Sequence, residues 1–201
     1  IPSVTPGRIL GHEGVGVIEA VGSSVTSFHA GDLVLISCIT ACGICDFCRR
    51  RMPSHCRTGG WILGNTIDGS QAEYVRIPHA DTSLYRVSPD LDIEAVVLLS
   101  DILPTAYECG VLNGDIKPGD TVAIVGAGPI GLAALLTAQL YSPSVVLMID
   151  LDANRLQMAQ GFGATSVVNS AVENAVARVL SITEGAGVDL AIEAVGTPAA
   201  F

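Results

Sequence analysis

Residues 121–150 read TVAIVGAGPIGLAALLTAQLYSPSVVLMID and contain two β-branched apolar runs separated by a glycine-rich turn and an apolar helix. The first run is Thr121–Val125 and the second is Val145–Asp150, and the turn 126–131 has the spacing G-x-G-x-x-G. Such a turn between a strand and a helix, here 132–141, is typical of a βαβ unit that binds a dinucleotide. The alternative interpretation is a βαβ unit without a ligand.

The three glycines of this motif have separate predicted roles. Gly126 allows the tight turn, Gly128 lets the backbone approach a pyrophosphate, and Gly131 lets the helix pack closely on the strand. Pro129 and Ile130 lie at the start of the helix, whose unpaired N–H groups are expected to face the pyrophosphate. The whole motif is therefore predicted to bind the cofactor.

A carboxylate ends the second strand. Asp150 lies nineteen residues after Gly131, a spacing that suits a hydrogen bond to a ribose 2′-hydroxyl. The same carboxylate would repel a 2′-phosphate, so NAD is favoured over NADP. Asp152 is close enough to share this role, and Arg155 would soften the preference for NAD.

The chain after Asp150 continues as alternating helices and strands. The pattern predicts helices over 152–162 and 172–183 and strands over 166–169 and 188–194. Val195 and Gly196 follow the last strand and belong to the predicted cofactor site. Four parallel strands with right-handed crossovers form the first half of a doubly wound sheet, the α/β Rossmann fold.

Composition and charge limit the possible partners. The 201 residues are 49% hydrophobic and 15% charged, which predicts a well-buried core. The net charge of -10 argues against nucleic acid and against an anionic membrane. The apolar run 122–141 has the length of a membrane span, but the 126–131 motif interrupts it, so we predict no membrane segment.

The cysteine spacing favours a reducing compartment, and no signal peptide opens the chain, so cytoplasm is the expected location. The chain starts with Ile1 and stops just after a predicted strand. We therefore expect it to be a piece of a longer protein.

The first third of the chain has the pattern of a small all-β domain. Residues 7–37 are rich in Gly and Val in short runs, such as 14–22 and 31–36, and a further strand is predicted over 72–77. These runs indicate a barrel-like domain with tight turns. His12 and Glu13 precede the first of these strands, and a lone His is more often a structural or surface group than a metal ligand.

Four cysteines follow with the spacing C-x2-C-x2-C-x7-C, and they are Cys42, Cys45, Cys48 and Cys56. Thiolates at this spacing can enclose one tetrahedral zinc, which would be structural because no coordination position stays open. Two disulfides, an iron–sulfur cluster or unpaired thiols are the alternatives. Cys38 and Cys109 lie outside the spacing and are predicted to be buried.

An acidic residue and a tryptophan lie in apolar surroundings. Asp101 lies between an apolar helix predicted over 93–99 and a second helix that begins near 104–107. Such an acid is costly unless it is paired or bound to metal, and the alternative is a helix cap. Trp61 either lines a substrate pocket or covers the barrel.

These motifs, in this order, resemble the zinc-dependent alcohol dehydrogenases of the medium-chain dehydrogenase/reductase family. They are the Gly-His-Glu-Gly segment 11–14, the four-cysteine lobe, Asp101 with the segment 104–108, and the glycine motif 126–131. The resemblance implies a GroES-like barrel domain, partial here, over 1–105. It also implies a Rossmann domain, likewise partial, over 106–201 that binds NAD or NADP.

The resemblance also assigns roles to single residues. His12 would be a ligand of a catalytic zinc, Glu13 a supporting carboxylate or transient ligand, and Asp101 the third ligand. Thr105 would lie beside the nicotinamide, and the four cysteines would hold a structural zinc. In this family the catalytic zinc lowers the pKa of an alcohol while a hydride passes to the nicotinamide.

The sequence departs from the family pattern before His12. The first zinc ligand of the family, a Cys, normally precedes the Gly-His-Glu motif by a few tens of residues, and none of the eleven residues before His12 is a Cys. The chain alone is therefore not expected to be a competent enzyme, and Cys38 is a poor substitute ligand.

The family implies a small alcohol, aldehyde or ketone substrate and a full-length homodimer or homotetramer. Two other functions compete with the dehydrogenase. One is a zinc-free quinone reductase of the same superfamily, and the other is a non-catalytic, zinc-stabilised dinucleotide-binding module.

Overall fold

The computed structural model describes residues 4–200 and divides the chain into two compact units, Ile1–Asp101 and Ile102–Phe201. The predicted boundary lay between residues 105 and 106, four residues later. Ile102 and Leu103 pack against the buried cluster of the second unit, which is why the short helix that carries them belongs there.

An antiparallel three-stranded sheet forms the centre of the first unit. Its strands are β1 (Gly14–Val17), β2 (Leu33–Ile36) and β3 (Leu84–Arg86), in the order β1-β2-β3. Val34 and Ile36 of β2 lie in one buried cluster with Phe28, Leu63 and Leu84. The fold class predicted for this half is confirmed.

The strand predicted over 72–77 is wrong, because this segment is irregular. A strand requires continuous backbone pairing. The N–H groups of Gly69, Ser70 and Gln71 do pair with the carbonyl groups of Ile9, Gly11 and Leu10. Within the described residues, this pairing stops before residue 72.

The first unit has three short helices: α1 (Asp46–Arg49) and α2 (Ala80–Ser83) lie between β2 and β3, and α3 (Ile93–Val96) follows β3. Two 3₁₀ turns cover Pro53–His55 and Val97–Leu99. The Asp92 carboxylate caps α3 by accepting the N–H of Glu94 at 3.0 Å. The helix predicted over 93–99 is therefore confirmed as α3 plus a 3₁₀ turn.

The helical stretch Ile93–Leu112 continues through α4 (Ile102–Thr105) and a π-helix, Ala106–Leu112. Its length and its mean hydropathy of 1.5 would suffice to cross a membrane, and 22% of the tested window is buried. Core helices of soluble proteins pass the same test, so length and composition alone are weak evidence for a membrane span.

The second unit is a parallel sheet of β4 (Thr121–Val125), β5 (Val145–Asp150), β6 (Ser166–Asn169) and β7 (Leu190–Glu193). The strand order is β6-β5-β4-β7. The helices are α5 (Pro129–Ala138), α6 (Ala153–Gly161) and α7 (Ala175–Ile182), with 3₁₀ turns at Gln139–Tyr141 and Pro198–Ala200. The predicted Rossmann half is confirmed.

Both faces of β4 are covered, which is characteristic of a parallel sheet. Val122 and Ile124 are fully buried in the cluster that includes Leu135 of α5. Ala123 points to the opposite face and packs in the cluster that Val179 of α7 contacts. Each fully buried Val or Ile stabilises the fold by roughly 1.5–3 kcal/mol.

Candidate metal centres and dinucleotide crevice

The four lobe cysteines bring their sulfur atoms together. All four lie within 4.8 Å of one another. The Sγ of Cys48 is 3.5 Å from that of Cys45 and 3.9 Å from that of Cys42. Sulfurs bound at about 2.3 Å to one tetrahedral zinc are about 3.8 Å apart, so the cluster fits this ion.

The alternatives to zinc fit this geometry less well. All six cysteines are free thiols, so the interpretation as two disulfides is wrong. The cysteines of an iron–sulfur cluster are spread over two irons in [2Fe–2S] or four irons in [4Fe–4S], so the four sulfurs as a set stand farther apart than around one metal. A single tetrahedral zinc therefore accounts best for the sulfur separations.

Backbone N–H groups point at these sulfurs. Cys42 N–H donates to Cys56 Sγ at 3.2 Å, and Cys45 N–H donates to Cys42 Sγ at 3.4 Å. Burial opposes ionisation of Cys56, but the N–H groups of Cys42 and Thr58 outweigh it and lower the pKa of its thiol to about 6. Because the thiolate is the metal-binding form, these donors favour metal binding.

The pKa values of two other lobe cysteines shift in opposite directions. The backbone N–H groups of Arg57 and Cys48 lower the pKa of Cys45, whereas desolvation and the Cys45 thiol raise the pKa of Cys48 to about 12. Four adjacent thiolates repel one another, and a dication relieves that repulsion.

A second donor group joins residues that are far apart in the sequence. His12 Nε2 lies 2.8 Å from Asp101 Oδ2 and 4.0 Å from Glu13 Oε1. The three donor atoms lie within 4.8 Å of one another. One nitrogen and two carboxylate oxygens at about 2.1 Å from a tetrahedral zinc would be about 3.4 Å apart, between the two observed distances. The Asp101 carboxylate contacts His12, as its predicted metal role requires.

Three closely packed glycines place His12. A Cβ at Gly69 would lie 1.9 Å from the Gly11 oxygen, and a Cβ at Gly64 would lie 2.6 Å from the Gly11 nitrogen. Gly11 itself has φ +94, a conformation that L side chains rarely adopt. Only glycine fits at these three positions, and the contact fixes the position of the backbone immediately before His12.

Ser100 fixes the other side of the group, and the sequence interpretation missed it. Its hydroxyl accepts the Gly14 N–H at 3.1 Å, and its carbonyl accepts the Cys38 N–H at 3.2 Å. Ser100 is 3% exposed and precedes Asp101. It thus joins the segment that carries Asp101 to the one that carries His12.

A cavity of about 530 Å³ adjoins this group. His12, Glu13 and Trp61 line it, and Trp61 meets the His12 ring edge-on with centroids 5.6 Å apart. Of the two predicted positions for Trp61, the structure therefore favours the pocket.

Cys38 lies near Asp101. Within residues 4–200, however, it is not one of the clustered donor residues His12, Glu13 and Asp101. Burial, followed by the charge of and hydrogen bond to Asp101, raises the pKa of the Cys38 thiol to about 12.

The glycine turn of the second unit lies where the strand order reverses. From β4 the chain adds β5 and β6 on one side and then β7 on the other. Ligands of doubly wound sheets bind in the crevice at such a point, beyond the carboxyl ends of the strands. The turn 126–131 follows β4 directly.

The three glycines of the turn have distinct surroundings. Gly126 has φ +101, and a Cβ at Gly131 would lie 1.7 Å from the Gly126 oxygen, so these positions admit only glycine. A Cβ at Gly128 would meet nothing within 4 Å. Gly128 immediately precedes α5, which begins with Pro129 and Ile130. The space beside Gly128 and the start of the helix suit a pyrophosphate.

The Asp150 carboxylate contacts the glycine turn. Oδ2 accepts the Ala127 N–H at 2.7 Å, and Oδ1 accepts the Asp152 N–H at 2.9 Å. Burial opposes ionisation, but these N–H groups and the charge of Arg155 lower the pKa of Asp150. Asp152 caps α6 by accepting the N–H groups of Asn154 and Arg155, so its carboxylate is already engaged and the ribose role stays a prediction for Asp150.

The other predicted cofactor residues lie on the β7 side of this crevice. Thr105 and Ile130 line one cavity of about 420 Å³ together with Glu193. Val195 and Gly196 donate their N–H groups to Glu193 Oε1 at 2.7 and 2.8 Å. Glu193 was missed because a single acid at a strand end resembles a solvated residue. Thr105 belongs to the second unit. The donor group of His12, Glu13 and Asp101, called the His12 group below, belongs to the first.

Two family models match the chain: "Alcohol dehydrogenase GroES-like domain" over residues 1–90 and "Zinc-binding dehydrogenase" over residues 129–201. The "Medium chain reductase/dehydrogenase ucsI" of Acremonium sp is 38% identical over 197 residues, which cover 94% of this chain and 67% of that protein. An "Alcohol dehydrogenase" of Cupriavidus necator is 37% identical over 219 residues, covering 98% of this chain and 58% of that protein.

A solved structure, zinc-dependent alcohol dehydrogenase 2 from Streptococcus pneumonia, superposes with a TM-score of 0.94 at 55% identity. It matches 100% of this chain, which spans 57% of its length. The chain thus spans between 57% and 67% of the length of these three relatives.

Proposed function

The chain belongs to the medium-chain dehydrogenase/reductase family, and on that premise we propose that it forms part of a zinc-dependent alcohol dehydrogenase that uses NAD. The observation that carries the proposal is the second donor group. His12 and Asp101 are 89 residues apart, yet their donor atoms meet at 2.8 Å beside Glu13 and a cavity.

His12 and Asp101 would hold the proposed catalytic zinc, with Glu13 as a supporting carboxylate or transient ligand. The four lobe thiolates, by contrast, would form a closed set around a structural zinc. When bound, zinc lowers the pKa of a substrate hydroxyl and the nicotinamide ring accepts a hydride.

The residues of the chain orient these groups. Asp101 and Glu13 place negative charge beside the His12 ring, which attracts a cation into the cavity. The Trp61 indole meets the His12 ring edge-on and forms an apolar side of the same cavity. An apolar side favours a small alcohol, aldehyde or ketone and disfavours charged substrates.

The preference for NAD rests on Asp150. Its carboxylate stays ionised because backbone N–H groups and Arg155 lower its pKa, and it lies against the glycine turn. A 2′-phosphate at that position would be repelled, whereas a 2′-hydroxyl would donate to it.

The test compares two histidine variants of the full-length protein. His12→Ala is expected to lose one of two zinc ions per chain and at least about a thousandfold in turnover, because the zinc site is incomplete. His29→Ala, at an exposed histidine, is expected to keep both. Zinc is counted by mass spectrometry, and turnover is followed as NADH formation from short alcohols.

Three outcomes would contradict the proposal. One zinc per wild-type chain without turnover would indicate a non-catalytic, zinc-stabilised module. No zinc with activity on quinones would indicate a quinone reductase. Equal turnover of the two variants would show that His12 takes no part in the reaction.

A further inference from the structure

The loop after β7 is held by one side chain. Glu193, the last residue of β7, accepts the N–H groups of Val195 and Gly196 on the same oxygen at 2.7 and 2.8 Å. Gly196 has φ +78, so the backbone bends sharply here. Hydrogen bonds to a carboxylate are stronger than those between neutral groups. The Glu193 carboxylate therefore fixes the shape of this loop.

This loop contacts the glycine turn. Glu193 pairs with Val125, the last residue of β4, and Ala194 N–H donates to the Val125 carbonyl at 2.8 Å. A Cβ placed on Gly126 would lie 2.8 Å from Val195 Cγ2 and 3.0 Å from the Ala194 oxygen. The loop thus packs directly against the first glycine of the motif.

The turn is therefore held from both neighbouring strands. On the β5 side, Asp150 accepts the Ala127 N–H at 2.7 Å. On the β7 side, Glu193 acts through the backbone of residues 194–196, at the point where the strand order reverses. A dinucleotide in this crevice would contact the turn and the loop together.

We propose that Glu193 is a positioning residue for the dinucleotide, which orders the loop 194–196 against the glycine turn and so forms the β7 side of the binding crevice. This inference rests on the proposed dinucleotide site. Because Glu193 acts through its acceptor oxygen, a glutamine should replace it in part and an alanine should not.

The test uses the full-length protein and the variants Glu193→Ala, Glu193→Gln and, as a control in the same unit, Glu173→Ala. Calorimetry measures the dissociation constant for NAD. Hydrogen exchange of the Val195 and Gly196 amides is measured without any nucleotide. Zinc content and thermal midpoint report whether each variant folds.

We expect Glu193→Ala to weaken NAD binding about tenfold or more and to accelerate exchange at both amides, since two hydrogen bonds are lost. Glu173→Ala should stay within about threefold of the wild type, and Glu193→Gln should lie between the alanine variant and the wild type because it keeps a neutral acceptor. Unchanged exchange or unchanged NAD binding in Glu193→Ala would overturn the inference, and so would a glutamine variant as weak as the alanine variant.

Failure of the proposed function gives a different result, which is wild-type protein that does not bind NAD. The dinucleotide role of Glu193 would then fall with the site itself. The exchange rates would still decide whether Glu193 orders the loop.

Discussion

The two metal-donor groups of the first unit are built in opposite ways. The lobe takes four sulfurs from the fifteen residues 42–56, whereas the second group takes two oxygens and one nitrogen from residues 12, 13 and 101. The lobe is shaped by its own turns and by backbone N–H groups that point at sulfur. The second group exists only where distant segments meet.

The difference determines what each group depends on. A closed set of local ligands can form around its metal with little help from the rest of the fold, and its binding energy becomes folding energy. The His12 group depends on the Gly11–Gly69 contact and on the Ser100 hydroxyl, neither of which is a ligand. Damage to the barrel should therefore remove the second metal first.

The largest expected effect is on the lobe itself. Cys42→Ser should remove one zinc per chain and more than about 4 kcal/mol of stability, because loss of a structural metal is among the most damaging changes. The His12 group should keep its zinc. Metal analysis and thermal unfolding measure this, with Cys109→Ser as the control because its thiol lies outside both groups and is exposed, so that its predicted burial is wrong. Loss of both metals would mean that the groups are not independent.

A smaller effect is expected at the glycine contact. Gly69→Ala places a methyl group 1.9 Å from the Gly11 oxygen, so the backbone before His12 must move. We expect loss of the second zinc and about 1–3 kcal/mol of stability, with the lobe zinc retained. Gly16→Ala is the matched control, since a Cβ there meets nothing within 4 Å. Retention of both metals in Gly69→Ala would refute the role of this contact.

The Ser100 hydroxyl should matter less than the glycines. Ser100→Ala leaves the Gly14 N–H without its side-chain acceptor and should weaken zinc binding by the His12 group about 10–100-fold. The lobe affinity should not change. Competition with a chelator measures both affinities, and Ser24→Ala at an exposed site is the control. Equal weakening of both groups would point to general destabilisation.

The smallest effect is expected at Asp68, an exposed carboxylate that accepts the Ile9 N–H. The Ile9 N–H, followed by Arg8, lowers the pKa of Asp68. Because the folded-state pKa is depressed, its contribution is present above the ordinary pKa of 3.8 and disappears as pH falls through the folded value. The thermal midpoints of wild type and Asp68→Asn should differ slightly at pH 7 and converge in acid. A difference that grows in acid would contradict this sign.

The lobe and the glycine turn could be predicted from sequence because their chemistry is local. Four cysteines within fifteen residues, and a G-x-G-x-x-G turn between a strand and a helix, restrict the backbone strongly enough to imply the site. The strands β4, β5 and β6 were placed correctly for the same reason, since each is an apolar run bounded by turn residues.

The remaining features depend on contacts between distant segments. Ser100 and Glu193 are ordinary residues in the sequence, and only the fold shows that they bind backbone N–H groups beside a site. Even the meeting of His12 with Asp101 was expected from family resemblance and not from spacing. The strand wrongly predicted over 72–77 shows the converse. Its local pattern suits a strand, but within the described residues no neighbouring segment pairs with its backbone.

Cobalt titration of the metal-free full-length protein tests most directly whether the lobe and the His12 group are two separate metal sites, the first closed and the second open. We expect two equivalents of Co²⁺ per chain. One should give the intense thiolate-to-metal charge-transfer absorption of a four-sulfur site that does not respond to alcohol, and the other should give bands that shift when a short alcohol is added. A single equivalent, or two sites whose bands ignore the alcohol, would show that no open second site exists.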